Sequence, residues 1–286
     1  MKAKKGPKIL FSHMLKTAGT SFTKKLAQYY GRSFHIIQGG SYLSEDALDR
    51  EMLEKETQRI GPHLRVVSGH NLRPWRFMPN LENFSNYQWV TFLRNPASRF
   101  VSHYFYDFMR TDGFRYPKYD AMRDRSIEDW NSIENVSDYQ TRFIAGVADV
   151  NKAKQILASQ FKWVGLTELF PLSLVSFSQT FSLHGLDLTN VKSNTRKKNT
   201  LLPKIEAKDW DYIYHCNKLD NELYDFVLKN VWPKYTAHPI ICDKRPKGIV
   251  CRKWNELSFI AQRIKVNQQT DLTINNSRRF LRRWFG

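Results

Sequence analysis

The chain has little cysteine, and its cysteine content excludes two kinds of site. Cys216, Cys242 and Cys251 are an odd and sparse set in 286 residues, which does not suit a disulfide framework, and no C-x-x-C pair indicates zinc. We interpret them as three free thiols in a reducing cytosol. A bond between Cys242 and Cys251 is the alternative if the chain is exported.

Long apolar runs are also missing. The run at residues 9–11, and every later one, falls short of the ~7–15 residues of a signal-peptide core and the ~20 of a membrane span. The chain as given therefore predicts a soluble, cytoplasmic protein without a signal peptide or transmembrane segment. A fragment of a membrane-anchored enzyme is the alternative.

Acidic side chains are scarce relative to basic ones. Lys and Arg number 45 and Asp and Glu 27, which leaves a net charge of +18. Hydrophobic residues at 41% and aromatic residues at 14% describe a globular chain. The charge suits nucleic acid, an anionic membrane, or a highly charged small ligand with an acidic acceptor. Composition does not choose among these partners.

Short apolar segments bounded by Gly, Pro or Asn predict strands of a parallel sheet that is covered on both faces. Helical segments alternate with them, which favours an α/β fold. We expect one domain over residues 1–286, with a core at about 8–230 and a basic C-terminal extension at 231–286. The predicted strands are 8–13, 65–69, 88–93 and 161–165, and the predicted helices are 20–30, 44–60, 96–108, 136–144, 150–160, 169–183 and 208–230.

The segment KTAGTS lies between the first predicted strand and the first predicted helix. A helix N-terminus offers unpaired N–H groups and partial positive charge, and a loop of small residues lets a phosphate approach them. The pattern is not a Walker A loop, because the Lys precedes the Gly. A Gly-containing turn with a Thr or Ser cap is the alternative. The candidate phosphate-binding residues are Lys16, Thr17, Ala18, Gly19, Thr20 and Ser21.

Residues 13–22, HMLKTAGTSF, resemble the phosphosulfate-binding loop of a family of PAPS-dependent sulfotransferases. This family, of the sulfotransferase family 2 type, includes the heparan sulfate 2-O- and 6-O-sulfotransferases, and its pattern is close to H-[VI]-P-K-T-[GA]-G-T-S. Ala18, and Leu15 in place of Pro, are mild departures. The resemblance implies that 3′-phosphoadenosine 5′-phosphosulfate (PAPS) is the sulfuryl donor, that Lys16 acts on the leaving group, and that no metal is needed.

Residues 89–102 resemble the strand–turn–helix element R-[DN]-P-x-x-R-x-x-S, which holds the nucleotide 3′-phosphate in this family. Arg94 follows a predicted strand, at the edge where α/β sheets bind ligands, and arginine can grip phosphate in a bidentate manner. Ser102 lies about two helical turns further on, which predicts a hydroxyl on the same side. A helix opened by Pro96, with ordinary surface arginines, is the alternative.

Two weaker matches extend the resemblance over about residues 8–230 and imply a single P-loop-NTPase-like domain, with a central parallel sheet flanked by helices. Segment 163–168 predicts packing, with Glu168 at a helix start. The basic loop 194–200 resembles one that closes over the 3′-phosphate, with Arg196 and Lys197 as candidate ligands. A solvated surface loop is the alternative.

A general base for transfer to a hydroxyl needs a pKa near the working pH, which favours histidine. His70 ends a predicted strand and matches a G-H segment that carries the proposed base of this family. A capping or core histidine is the alternative. His13 also follows a strand, but its place ahead of the loop predicts packing. His103, next to Ser102, is the third candidate.

The resemblance implies an enzyme that moves a sulfuryl group from PAPS to a hydroxyl of a polysaccharide, oligosaccharide or glycolipid. Arg73, Trp75 and Arg76 are candidates for acceptor contacts. The tail at 278–285 suggests peripheral contact with an anionic membrane, or an ordinary terminal helix. A nucleotide kinase or NTPase with a degenerate loop and a basic nucleic-acid-binding protein are the alternatives. The paired loops favour the sulfotransferase, with no nucleic acid as partner.

Overall fold

A parallel sheet of five strands is the centre of the protein. The computed structural model describes residues 6–37, 54–56, 58, 60–76, 84–109, 125–187 and 204–236. The strands are β1 (Lys8–Ser12), β2 (Phe34–Ile36), β3 (Val66–Gly69), β4 (Tyr87–Leu93) and β5 (Phe161–Leu166). They pair in the order β2-β3-β1-β4-β5, and every pair is parallel. This arrangement confirms the predicted α/β fold.

Four of the strands were predicted, and the fifth was not. β1, β3, β4 and β5 are the apolar segments of the sequence, and most of their residues are buried. β2 has only three residues, Phe34–Ile36, and follows directly on a 3-10 turn at Gly31–Ser33. Such a short strand shows no period-2 pattern, and it forms because β3 offers it a pairing edge.

Helices cover the sheet on both sides, and most of them lie where they were predicted. The predicted helix 44–60 lies for the most part outside the described residues. The helices are α1 (Gly19–Tyr30), α2 (Pro96–Phe108), α3 (Ile127–Glu134), α4 (Tyr139–Ala145), α5 (Val150–Ser159), α6 (Phe170–Thr180), α7 (Ala207–Cys216), α8 (Lys218–Phe226) and α9 (Pro233–Thr236), with 3-10 turns at Gly31–Ser33 and Thr167–Leu169 and a π turn at Val227–Val231.

The prediction of one helix over 208–230 is wrong. The chain breaks at Asn217, between α7 and α8. The side-chain Nδ2 of this buried residue donates to the Ile213 carbonyl at 2.8 Å, the acceptor that a continuing helix would give to the backbone N–H of Asn217. An amide side chain that competes with the backbone in this way ends a helix.

The helix α3 was missed, although the sequence carries its start signal. Ser126 and Asp129 form a capping box: the Ser126 hydroxyl accepts from the Asp129 N–H at 3.1 Å, and the Asp129 carboxylate accepts from the Ser126 N–H at 3.4 Å. Two backbone donors at the helix start are thereby satisfied, which stabilises a helix of eight residues.

The core forms two layers because side chains alternate between the faces of the sheet. On one face, Phe11 and Phe92 pack against α1 and α6. On the other face, Leu10 and Val67 pack under Leu72, and Val164 packs against α4, α5 and α8. Among the described residues, no helix has the length and apolar character needed to cross a bilayer.

Candidate active site

The loops that follow β1, β3 and β4 leave the sheet side by side. Ser12 at the end of β1 pairs with Gly69 of β3 on one side and with Thr91 of β4 on the other. Because parallel strands end at the same edge, the segments that carry Lys16, His70 and Arg94 meet at the carboxyl edge of the sheet. Ligands of open α/β sheets bind at this edge.

The loop between β1 and α1 has a left-handed backbone at two residues that are not glycine. Lys16 has a φ of 64° and Ala18 a φ of 63°, a region that costs an L-residue about 1–2 kcal/mol. Ser21 and Phe22 donate their amides to the Ala18 carbonyl at 3.0 and 3.2 Å, so that α1 begins directly at the end of the loop. Left-handed residues next to a helix start direct successive N–H groups into one concavity, which suits an anion.

The side chains of this loop divide between internal contacts and the surface. Thr17 is fully buried, and its hydroxyl donates to the Met14 carbonyl at 3.0 Å, so Thr17 contributes to a phosphate site only through its backbone N–H. A Cβ at Gly19 would lie 1.9 Å from Cδ2 of His13, so only glycine lets the His13 ring lie against the helix start. Thr20 is exposed and Ser21 is half-buried.

Arg94 connects the second predicted element to the first loop. Its guanidinium Nη1 donates to the backbone carbonyl of Lys16 at 3.1 Å. Asn95 begins α2 as its N-cap: the side-chain Oδ1 accepts from the Ser98 N–H at 3.0 Å, and Pro96 occupies the first turn. The two sequence elements therefore meet in one place.

Two buried or half-buried side chains that the sequence did not single out for the site hold this turn. The Gln140 amide accepts from the Arg94 N–H at 3.0 Å and donates to the Arg94 carbonyl at 2.9 Å. Glu168 accepts from the Asn95 N–H at 2.9 Å and from the Tyr224 hydroxyl at 2.8 Å. Glu168 lies directly before α6, as predicted, and its carboxylate in addition holds the start of α2.

The Lys16 ammonium lies over an aromatic ring of α2. Its Nζ is 4.0 Å from the ring centroid of Tyr106, whose side chain is 42% exposed. Ser102 precedes Tyr106 by one helical turn, so the two residues lie on the same face of α2. Lys16 and Ser102 therefore lie on the same side of α2, and a position of the Ser102 hydroxyl on the side of Arg94 stays a prediction.

His70 lies beside the first loop in a defined tautomer. Its Nδ1 is 2.5 Å from the backbone carbonyl of His13, an acceptor, so Nδ1 carries the proton and Nε2 carries the lone pair. The two imidazole rings are 4.1 Å apart between centroids. Burial lowers the pKa of His70, the hydrogen bond to His13 opposes this, and the charge of Arg73 lowers it further. His70 is therefore neutral near pH 7 and able to accept a proton.

Arg99, the second arginine of the strand–turn–helix element, is a core residue. It is fully buried, its Nη2 donates to the Val136 carbonyl at 3.1 Å, and its guanidinium lies 4.6 Å from the Tyr139 ring centroid. The interpretation of this element as ordinary surface arginines is wrong for Arg99. His103 is also buried, with Nε2 3.7 Å from the Asp107 carboxylate. Burial, then the charges of Arg99 and Lys16, lowers its pKa well below the ordinary range.

The three residues predicted to touch the acceptor make contacts within the protein, and two of them, Arg73 and Arg76, are buried, whereas Trp75 is half-buried. Arg73 is fully buried between the rings of Trp75 and Phe143, at 5.5 and 4.5 Å from their centroids. The Trp75 indole donates to the Phe143 carbonyl at 2.9 Å, and the buried Arg76 donates to the Asn71 side chain at 3.0 Å. They support the segment after His70. Arg196 and Lys197, and the tail at 278–285, lie outside the described residues.

Acidification is expected to destabilise the protein through His13. Burial, and secondarily the charge of His70, lowers the pKa of His13 from 6.5 to about 3. Between these pH values the unfolded chain binds a proton that the native protein does not, so stability falls as pH falls, by up to ~1.4 kcal/mol per pH unit for this histidine.

Urea unfolding between pH 7 and pH 4 measures this slope. His13→Gln is expected to flatten it, whereas His63→Gln, which changes an exposed histidine, leaves it unchanged. Equal slopes in His13→Gln and the parent would contradict the assignment.

A comparison with known protein families gives a match over most of the chain. A sequence model of the sulfotransferase family matches residues 1–227 of the 286. The match contains β1 to β5 and both loops that carry Lys16 and Arg94. No curated protein matches the sequence. The family match favours sulfuryl transfer over the alternatives of a nucleotide kinase and a nucleic-acid-binding protein.

Proposed function

This chain belongs to the sulfotransferase family, a family of enzymes that transfer sulfuryl groups, and on that basis we propose the donor, the acceptor and the base. The donor is PAPS, the acceptor is a hydroxyl group of a carbohydrate, and His70 is the general base. The observation that carries the proposal is the hydrogen bond of 3.1 Å from the Arg94 guanidinium to the Lys16 carbonyl. One ligand with two phosphate ends can therefore reach both loops.

The residues of the first loop suit the phosphosulfate end of the donor. Residues 13–22 contain no acidic side chain, and neither does the first turn of α1. Backbone N–H groups of Thr17 to Thr20, the hydroxyls of Thr20 and Ser21, and the Lys16 ammonium are the donors of this cradle. When bound, PAPS supplies the sulfuryl group for an in-line displacement.

The second element suits the 3′-phosphate. Arg94 provides the planar, bidentate grip that distinguishes arginine from lysine, and Ser102 adds a hydroxyl from the same side of α2. Arg196 and Lys197 complete the grip in this proposal, as the family resemblance implies. The 3′-phosphate thus contributes to binding of the donor at a position away from the reacting atoms.

His70 receives the proton in the chemical step. The acceptor oxygen forms a bond to sulfur while the bond between sulfur and the phosphate oxygen breaks, and the proton of the acceptor hydroxyl passes to Nε2 of His70. The His13 carbonyl holds the Nδ1 proton throughout and stabilises the imidazolium that forms. Lys16 stabilises the negative charge that develops on the departing phosphate.

The acceptor class follows from charge and from the family resemblance. A net charge of +18 favours an acidic polysaccharide, oligosaccharide or glycolipid, because a basic surface concentrates anionic acceptors. In this proposal the whole chain acts as one domain in the cytoplasm, and the basic segment 231–286 is an extension that can touch an anionic membrane. No metal ion and no nucleic acid take part.

Calorimetry with the desulfated donor, 3′-phosphoadenosine 5′-phosphate, tests the nucleotide site. We expect binding with a rise in melting temperature, and affinity for adenosine 5′-phosphate that is weaker by ~10–100-fold, since hydrogen bonds to a charged group contribute about 1.5–3 kcal/mol. Arg94→Met is expected to remove most of this preference.

The same titrations separate the alternatives. Absence of heat and of a melting shift with 3′-phosphoadenosine 5′-phosphate would overturn the proposal. Binding of ATP with Mg²⁺ instead would indicate a kinase, and strongly salt-dependent binding of a DNA duplex would indicate a nucleic-acid-binding protein. Transfer of labelled sulfate from PAPS to desulfated polysaccharides then identifies the acceptor.

A further inference from the structure

We infer that Gln140 is a positioning residue that fixes Arg94 for recognition of the donor 3′-phosphate. The inference rests on the proposed function, since it assigns the 3′-phosphate to Arg94. Gln140 lies on α4, 46 residues beyond Arg94 in the sequence, and its side chain is almost fully buried. It acts through Arg94 and is not itself a ligand.

The contact between the two residues is a closed pair of hydrogen bonds. The Gln140 side chain accepts from the Arg94 N–H at 3.0 Å and donates to the Arg94 carbonyl at 2.9 Å. β4 ends at Leu93, so these two backbone groups lie just beyond the ladder of the sheet. The Gln140 amide thus satisfies the backbone N–H and carbonyl of Arg94, as neighbouring strands satisfy those of the β4 residues before it.

The position of Gln140 is itself fixed by two helices that cap each other. The Asp220 carboxylate of α8 accepts from the N–H groups of Gln140 and Thr141 at 3.0 and 2.7 Å, at the start of α4. In return, the Asp138 carboxylate accepts from the N–H groups of Leu219 and Asp220 at 2.8 and 3.0 Å, at the start of α8. The relative position of the two helices is therefore defined by four hydrogen bonds.

A buried positive charge completes this support. Burial raises the pKa of Asp220, and the neighbouring charge of the fully buried Arg99 opposes the rise. Arg99 comes from α2, the helix that begins just after Arg94. The end of β4, the start of α2 and the helices α4 and α8 are thus joined by hydrogen bonds and by opposite charges. This arrangement holds Arg94, whose guanidinium donates to the Lys16 carbonyl.

The consequence is a selective effect on one phosphate of the ligand. Without the Gln140 amide, the backbone N–H and carbonyl of Arg94 lose these two hydrogen bonds. The orientation of the Arg94 guanidinium toward the 3′-phosphate is then less well defined. The first loop loses the contact between the Lys16 carbonyl and Arg94 but keeps its internal contacts, such as the bond from Thr17 to Met14. A ligand that uses only the first loop is therefore much less sensitive to Gln140 than a ligand with a 3′-phosphate.

Titration of the Gln140→Met variant with two nucleotides tests the inference. We expect the Kd of 3′-phosphoadenosine 5′-phosphate to rise ~5–10-fold, about the contribution of one well-placed hydrogen bond, and that of adenosine 5′-phosphate to change less than ~2-fold. Gln155→Met, on the exposed side of α5, is the matched control and is expected to bind both nucleotides like the parent.

A second variant keeps the test informative if Gln140→Met does not fold. Gln140→Glu has the same shape and keeps the acceptor for the Arg94 N–H, but it sets an oxygen against the Arg94 carbonyl, and the same selective loss is expected. Equal loss for both nucleotides, or full retention of the parent's preference, overturns the inference. A parent protein that does not distinguish the two nucleotides overturns the proposed function instead.

Discussion

A His70→Ala variant is expected to lose about 10²–10⁴-fold in kcat, the usual contribution of a general base, while it binds 3′-phosphoadenosine 5′-phosphate with the affinity of the parent. The reason is the tautomer: Nδ1 donates to the His13 carbonyl, so the lone pair that takes the proton is on Nε2. The imidazole comes from the segment after β3, and the nucleotide contacts are on the segments after β1 and β4.

The pH dependence of the parent protein is a second test of His70 as the general base. Burial lowers the pKa of His70 in the ligand-free protein, so its neutral form predominates at pH 6.5, and kcat/KM is expected to fall only on the acid side of that value. The acid limb disappears in His70→Ala, because the group whose protonation causes it is gone.

Two controls distinguish a base from a residue that merely packs. Added imidazole is expected to restore part of the activity of His70→Ala, since the truncation leaves space beside His13 for a free base. His70→Gln keeps a donor for the His13 carbonyl and remains inactive. His63→Ala, at an exposed histidine, behaves like the parent. Activity of His70→Ala equal to that of the parent would remove His70 from this role.

The parts of the site that the sequence predicts are those encoded by contiguous residues. The first loop and the start of α2 each lie within ten residues of a buried strand, where apolar runs, Pro96 and the small residues after Lys16 give local signals. The carboxyl ends of parallel strands share an edge, which brings the two loops together. α2 begins and ends where the sequence predicts, at Pro96 and Phe108.

The parts that the sequence does not predict depend on pairing over long distances. Gln140 meets Arg94 across 46 residues, and Glu168 meets Asn95 across 73. No spacing rule connects such pairs, because the partner is selected by the way α4 and the turn after β5 pack on the sheet. The sequence does not predict the burial of Arg99 for the same reason, because the carboxylate whose charge opposes the effect of burial, Asp220, lies on α8.

The two arginines of one motif therefore serve different purposes. Arg94 lies at the strand end and reaches the Lys16 carbonyl, whereas Arg99 lies inside the protein, where the charge of Asp220 opposes the effect of burial on its pKa. Replacement of Arg99 would leave the buried Asp220 carboxylate without this opposite charge. A loss of activity in an Arg99 variant would thus report on folding, and a loss in an Arg94 variant on ligand binding.

A Lys16→Ala variant is expected to slow the single-turnover rate by about 10²–10³-fold, the usual effect of removing one electrostatic contact to a developing charge. The ammonium group lies over the Tyr106 ring at the edge of the nucleotide cradle, and its attraction to the phosphate is greatest when the bond to sulfur breaks. The affinity for 3′-phosphoadenosine 5′-phosphate is expected to fall by much less, because the backbone donors of the loop remain.

Lys24→Ala is the matched control for this change. It removes the same charge from an exposed position of α1, where solvent and salt screen its effect on the cradle, and it is expected to leave the single-turnover rate unchanged. Lys16→Arg keeps the charge but spreads it over a planar group, so partial activity is expected. A single-turnover rate in Lys16→Ala equal to that of the parent would mean that the Lys16 ammonium does not stabilise the departing phosphate. The charge of the leaving group would then have to be stabilised by the backbone N–H groups of the loop alone.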